Sequence, residues 1–211
     1  MNHTTLLQTQ KRFKPYTWVT TVAQLMADEK ACHFSPWLRA QYQISTPASE
    51  FDTSLHDDMV NYRAQELRNQ GYMVTVENEN SLKVTGNTFD ICIAGRPDII
   101  AIKGNEVIVE DCKSGRQRSS HHYQVLLYML LMRYANTTKT KCKNRQIIGR
   151  LIYIDMEQEI TESEINDDLI KSLHQVLDIL TNDKIPIPKA SEWNCKFCQI
   201  VDDYCSINLC D

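Results

Sequence analysis

Apolar residues recur at helical spacing in four stretches of this 211-residue chain, and alternate with polar ones in most of the rest. Residues 18–30 (WVTTVAQLMADEK) and 55–70 (LHDDMVNYRAQELRNQ) predict helices, the second closed by Gly71. A strongly apolar helix is expected from His121 to Ala135, through YQVLLYMLLMRYA. Residues 164–182 place Ile165, Leu169, Leu173, Val176 and Leu180 on one face of an amphipathic helix. In SPWLRAQYQISTPASE, Pro36 and Pro47 are expected to break any continuous helix. Residues 72–77 and 81–85 alternate as strands around a polar turn, and 89–95 (FDICIAG) and 147–156 (IIGRLIYIDM) read as further strands. Residues 136–146 form a basic loop, 185–189 (IPIPK) an extended linker, and the tail is cysteine-rich. This order of elements predicts a mixed α/β domain around a central sheet.

The segment 95–115, GRPDIIAIKGNEVIVEDCKSG, reads as strand, turn, strand, with Gly104-Asn105 as a two-residue loop that tolerates positive φ. Pairing outward from that loop sets Lys103 opposite Glu106, Ile100 opposite Val109 and Asp98 opposite Asp111. Alternation then turns Asp111 and Lys113 to the face of Asp98, with Val107 and Val109. Two facing carboxylates repel unless a cation lies between them, and a hard divalent metal held by oxygens resolves the conflict. The backbone carbonyl of Cys112 could add a third oxygen. Lys113 would orient an attacking water or stabilise charge on a phosphoryl group. An ordinary charged surface hairpin is the alternative, but charges projecting from so apolar a strand need a partner or a purpose. Glu110 rivals Asp111 as a ligand; alternation sends it to the other face, with Ile108 and Cys112, unless a β-bulge intervenes.

Composition narrows the setting. The chain suits one domain, 1–211, and its 42% hydrophobic content can fill a core. It has no run of eighteen apolar residues, and MNHTTLLQTQKRFKPY lacks the apolar block of a secretory signal, so a soluble, cytoplasmic protein is expected with no membrane partner. Eight cysteines in that setting favour metal or redox use over disulfides. The net charge of −4 hides an asymmetry: residues 103–150 hold ten Lys/Arg against three Asp/Glu, and residues 151–211 hold four against thirteen. A basic segment after a carboxylate–lysine site suits a phosphate backbone, although a solvated loop would look the same. The acidic third is expected to face away from any such substrate.

Other residues leave more than one reading open. Gln124 and Tyr128 share a helix face, where they could contact substrate or Lys113, or simply sit at a solvated edge. His56, alone at a helix start, could be structural or a ligand, while Asp57 and Asp58 suit a first helical turn. Cys195, Cys198 and Cys205 form three soft ligands in CxxC-x6-C spacing, for zinc or for iron–sulfur. Cys32 is the best fourth ligand by its loop-like context, with Cys210 and Cys142 as competitors; Cys92 and Cys112 fall within strands.

Taken in order, His56, Gly95-Arg96-Pro97-Asp98, Asp111-Cys112-Lys113 and Gln124-xxx-Tyr128 resemble the RecB-type branch of the PD-(D/E)XK nucleases. The three late cysteines with one early one resemble the CRISPR-associated RecB-like exonucleases that carry a four-cysteine iron–sulfur cluster. The resemblance runs from Cys32 to Cys205 and implies a restriction-endonuclease-like core, a central mixed sheet flanked by helices. It implies His56, Asp98, Asp111 and the Cys112 carbonyl as ligands for Mg2+ or Mn2+, and Asp98, Asp111, Lys113, Gln124 and Tyr128 as catalytic residues. It also implies Cys32, Cys195, Cys198 and Cys205 around a 4Fe–4S cluster, with residues 186–211 packed back on the N-terminal region through Cys32. The activity implied is exonucleolytic, on DNA ends, commonly single-stranded, with trimming of DNA before spacer integration alongside integrase proteins. His33-Phe34 after Cys32 departs from the proline and basic residue frequent there, which keeps phage-borne and stand-alone repair nucleases in view. A non-catalytic DNA-end-binding module and a structural zinc in place of iron are the other readings.

Overall fold

The structure is a computed structural model that describes residues 10–44 and 52–189 together with Cys195, Cys198, Ile200, Tyr204 and Cys205. Pro47, Cys210 and most of the cysteine-rich tail lie outside the described residues. The strands are β1 (Tyr16–Trp18), β2 (Met73–Val76), β3 (Leu82–Thr85), β4 (Cys92–Gly95), β5 (Ile99–Lys103), β6 (Glu106–Lys113), β7 (Gln146–Tyr153) and β8 (Glu157–Ile160). The helices are α1 (Val19–Met26), α2 (Phe34–Gln41), α3 (Ser54–Asn69), α4 (Ser119–Met132), the single turn α5 (Lys139–Cys142) and α6 (Asp167–Thr181). No helix among them is long and apolar enough to cross a membrane.

The central sheet runs β2-β5-β6-β7-β8, mixed because β6 and β7 are parallel while the other neighbours are antiparallel. Alternation along β6 divides its apolar residues between two cores. Val107 and Val109 face α1, α4 and α6, whereas Ile108 and Cys112 face Val60, Ala64 and Leu67 of α3. Each fully buried aliphatic side chain contributes roughly 1.5–3 kcal/mol, so these two layers hold the hairpin from both sides. The apolar helix α4 lies tight on the sheet at Gly149, where a Cβ would come within 2.5 Å of Val125 Cγ1. Its first turn is anchored by Glu29, which accepts from the Ser120 N–H at 2.9 Å and hydroxyl at 2.7 Å.

Several expectations need correction. Pro36 does not prevent a helix; it occupies the first turn of α2, where its missing N–H has no intrahelical partner to lose. The stretches 72–77 and 81–85 are strands, but the 3-10 turn Glu77–Asn80 sends them to different sheets. β3 joins β4 and β1 in a second, three-stranded sheet. The basic loop is spread along the sheet: Lys141 Nζ donates to Thr75 Oγ1 at 3.0 Å and Thr137 Oγ1 to Ser81 O at 2.8 Å. Because β7 runs parallel to β6, residues 136–146 lead into the end marked by Glu106, and Arg145 Nε donates to Gly104 O at 3.0 Å. Asp111 and Lys113 stand at the other end of β6, roughly 20 Å along the strand. The acidic third begins beside the site, where Tyr153 pairs with Lys113, but Glu157 and Glu159 of β8 pair with Arg63 and Arg150.

Candidate active site

The β5–β6 register is the one expected from the Gly104-Asn105 turn, with Gly104 at φ +56° and Ile99 through Lys103 opposite Glu110 through Glu106. Continued by one pair, it sets Asp98 beside Asp111. The Asp98 loop is fastened from below. Buried Asn80 donates through Nδ2 to Pro97 O at 3.2 Å and Asp98 O at 3.3 Å, and the Glu77 N–H donates to Asp98 O at 2.8 Å. Asp98 Oδ2 accepts from the Cys112 N–H at 2.7 Å, and Oδ1 lies 3.6 Å from His56 Nε2.

Asp111, 1% exposed, accepts through Oδ1 from Gln124 Nε2 at 2.9 Å. Its Oδ2 lies 2.5 Å from Lys113 Nζ as an ion pair but accepts no hydrogen bond in good geometry. Gln124 Nε2 also donates to Tyr128 Oη at 3.1 Å, its Oε1 accepts from Lys113 Nζ at 3.4 Å, and Tyr128 Oη donates to Arg96 O at 3.3 Å. The one-turn spacing of Gln124 and Tyr128 on α4 thus lets an amide and a phenol brace the carboxylate together. Gly95 makes the approach possible: a Cβ there would sit 2.7 Å from Tyr128 Cε1.

The electrostatics follow from burial. Removal from water, reinforced by Asp98, pushes the Asp111 pKa up to about 6 against the pull of Lys113. Burial disfavours the Lys113 ammonium, yet Asp111 and Asp98 outweigh it and its pKa is raised. Asp98 raises His56, and burial raises Tyr128. Beside them, burial and the Lys113 charge lower His121 to about 4, and its Nδ1 meets Tyr153 Oη at 2.9 Å.

A buried carboxylate with a raised pKa, one oxygen met by the Lys113 ammonium, facing a second carboxylate and an imidazole, is a donor set that fits a hard divalent cation. Ligand atoms of His56, Asp57 and Glu77 also lie within 4.8 Å of one another. Asp57 is exposed there in the first turn of α3, and Glu77 was not foreseen. Nor was Asn80, since both fall in a polar ENEN turn whose composition signals only a loop. Glu110 is excluded from this constellation. It is buried on the opposite face, where Arg63 Nε and Nη2 reach its oxygens at 2.9–3.1 Å.

The cysteines separate as their contexts suggest. Cys32, Cys198 and Cys205 pack against one apolar cluster of Phe34, Trp37, Leu38 and Ile200, and Cys195 O accepts from the Cys198 N–H at 2.9 Å. Cys112 is buried between strand and α3, and Cys142 is buried in α5 near the opposite end of the central sheet.

Comparison with curated proteins finds no match in sequence. Among solved structures, one titled "Crystal structure of SSO0001" superposes with a TM-score of 0.52 at 18% identity, covering 97% of this chain and 92% of that one. That likeness concerns the fold. The family description "PD-(D/E)XK nuclease superfamily" matches residues 4–205, nearly the whole length. The chain therefore belongs to the PD-(D/E)XK nuclease superfamily, whose members are generally metal-dependent phosphodiester hydrolases using divalent ions such as Mg2+ or Mn2+.

Proposed function

We propose that the protein is a divalent-metal-dependent exonuclease acting on DNA ends, with unpaired ends as its preferred substrate. The observation that carries this reading is the buried Asp111, braced by Gln124 and paired with Lys113 beside Asp98. In it, His56, Asp98, Asp111 and the Cys112 carbonyl would hold the cation, which would supply Lewis-acid chemistry at the phosphate when bound. Lys113 would orient the attacking water or offset charge gathering on the phosphoryl oxygens. Gln124 and Tyr128 position the Asp111 carboxylate. Water adds across a phosphodiester bond, its oxygen joining phosphorus as the sugar oxygen leaves with a proton.

Cys32, Cys195, Cys198 and Cys205 are proposed to hold an iron–sulfur cluster that fastens the C-terminal segment to α2 in one nuclease domain. The clustering of three of these residues on one apolar patch supports that reading. Visible absorption with iron content tests it; a colourless protein with one zinc would replace iron with zinc. Trimming of DNA ahead of CRISPR spacer integration is the cellular role this reading puts first, and co-purification with integrase proteins tests it. The nuclease reading itself is tested by digestion of end-labelled oligonucleotides. Shortening from an end is expected with Mg2+ or Mn2+, and loss of it with a chelator. Intact substrate under every condition would overturn the reading.

A further inference from the structure

We infer that the outer face of the three-stranded sheet, around Tyr16 and Trp18, is a stacking platform for an unpaired polynucleotide strand. The inference rests on the nuclease reading for where that strand leads, though not for its binding. β1 pairs parallel to β4, and β3 antiparallel to β4, so that Lys83, Ala94 and Trp18 align across the sheet, as do Thr85, Cys92 and Tyr16. Alternation turns Leu82, Ile93 and Thr17 inward, where they are 1%, 5% and 4% exposed. The remaining face carries an aromatic pair. Tyr16 and Trp18 meet edge to face with ring centroids 5.9 Å apart, and Trp18 is 52% exposed.

Cations surround these rings. The Arg12 guanidinium lies 5.5 Å from the Tyr16 ring centroid and Lys83 Nζ 6.0 Å from it. Phe13 is fully exposed in the same KRFKPYTW segment, and Lys14 is matched at the rim by Asp90 at 2.5 Å. A cleft of ≈ 270 Å³ opens between Arg12, Tyr16, Trp18, Pro36, Arg39 and Tyr42. Exposed rings interleaved with cations suit bases on the rings and phosphates on the cations. An apolar protein partner would leave Arg12 and Lys83 without counter-charges.

The strand beneath the platform leads toward the site. Past Ala94, which pairs with Trp18, β4 continues through Gly95 and exposed Arg96 to Pro97 and Asp98. Four residues span roughly 13 Å of extended chain, within reach of the smallest single-strand footprints of about 4 nucleotides.

The chemistry is shared by unpaired DNA and RNA. Fluorescence anisotropy of the intact protein in chelator, with labelled dT12, rU12 and a 12-base-pair duplex, separates them, the tighter single strand naming the source. A single strand is expected to bind more tightly than duplex, with affinity falling as salt rises. Trp18→Ala should weaken binding about tenfold, Trp18→Phe should restore most of it, and Lys83→Glu should weaken it while flattening the salt dependence. Wild-type affinity in both Trp18→Ala and Lys83→Glu, a preference for duplex, or no binding by the wild type would each overturn the platform. If the variants lose binding while the wild type cuts nothing with Mg2+ or Mn2+, the platform stands and the nuclease reading falls. Normal cutting with unaltered binding in the variants does the reverse.

Discussion

Glu110 and Asp111 are neighbours on β6, both buried, and their surroundings differ completely. Glu110, 0% exposed, lies under two guanidiniums: Arg63 within hydrogen-bonding distance and Arg150 Nη1 at 3.6 Å. Glu157 closes that network, accepting from Arg63 Nη2 at 2.8 Å. Burial pushes the Glu110 pKa up while Arg63 holds it down, and the same pairing raises that of Arg63. Asp111, on the other face, has one ammonium and one amide, and a second carboxylate beside it. One carboxylate lies between two cations, and the other shares one cation with a second carboxylate. A single-residue step along a strand therefore separates a structural ion network from a site that fits a cation.

Substitutions on the two faces should fail in different ways. The largest effect belongs to the Asp111 face: Asp98→Ala, Asp111→Asn or Lys113→Ala should reduce cleavage of end-labelled DNA by at least about 1,000-fold, with circular dichroism unchanged. Glu110→Ala should instead lower stability by about 1–3 kcal/mol in denaturant titration, because Arg63 loses its buried bidentate partner and keeps only Glu66 and the more exposed Glu157. If Glu110→Ala were as stable as the parent, the contrast would collapse.

A smaller effect concerns pH. Asp111 has a folded pKa of about 6 against 3.8 for an ordinary aspartate, so the metal-free fold binds its proton more tightly than the unfolded chain. Its contribution to stability is complete below about pH 4 and is lost as pH rises through 6, by at most about 3 kcal/mol. Asp111→Asn should flatten that part of the metal-free stability profile, read by thermal melts across pH 4–7. The smallest change expected is for Tyr128→Phe, which removes the hydroxyl bracing Gln124 and should slow cleavage about tenfold at saturating substrate.

The hairpin was legible because three constraints agreed: a Gly-Asn loop, strict alternation, and charges at fixed offsets in an apolar strand. Helices α4 and α6 were legible from their apolar content and period. Other parts depend on long-range packing that no local pattern carries. β8 reads EQEI, a polar segment whose Glu157 and Glu159 pair with Arg150 on the neighbouring strand. β1 is three residues long and exists as an edge beside β4. Charge counted along the chain could not say where the basic loop lies; the parallel β6–β7 pairing leads it into the Glu106 end, while Lys141 reaches Thr75 on β2. His56 reaches Asp98 only because α3 packs across Ile99 and Ile108, which leaves no trace in the residues around it.

The difference between the two faces is tested most directly by calorimetric titration of Mn2+ into the wild type, Asp111→Asn and Glu110→Gln. The wild type and Glu110→Gln should bind the ion with similar affinity, and Asp111→Asn should lose at least tenfold. Unimpaired binding by Asp111→Asn, or its loss in a folded Glu110→Gln, would contradict the assignment of the metal to the Asp98–Asp111 face.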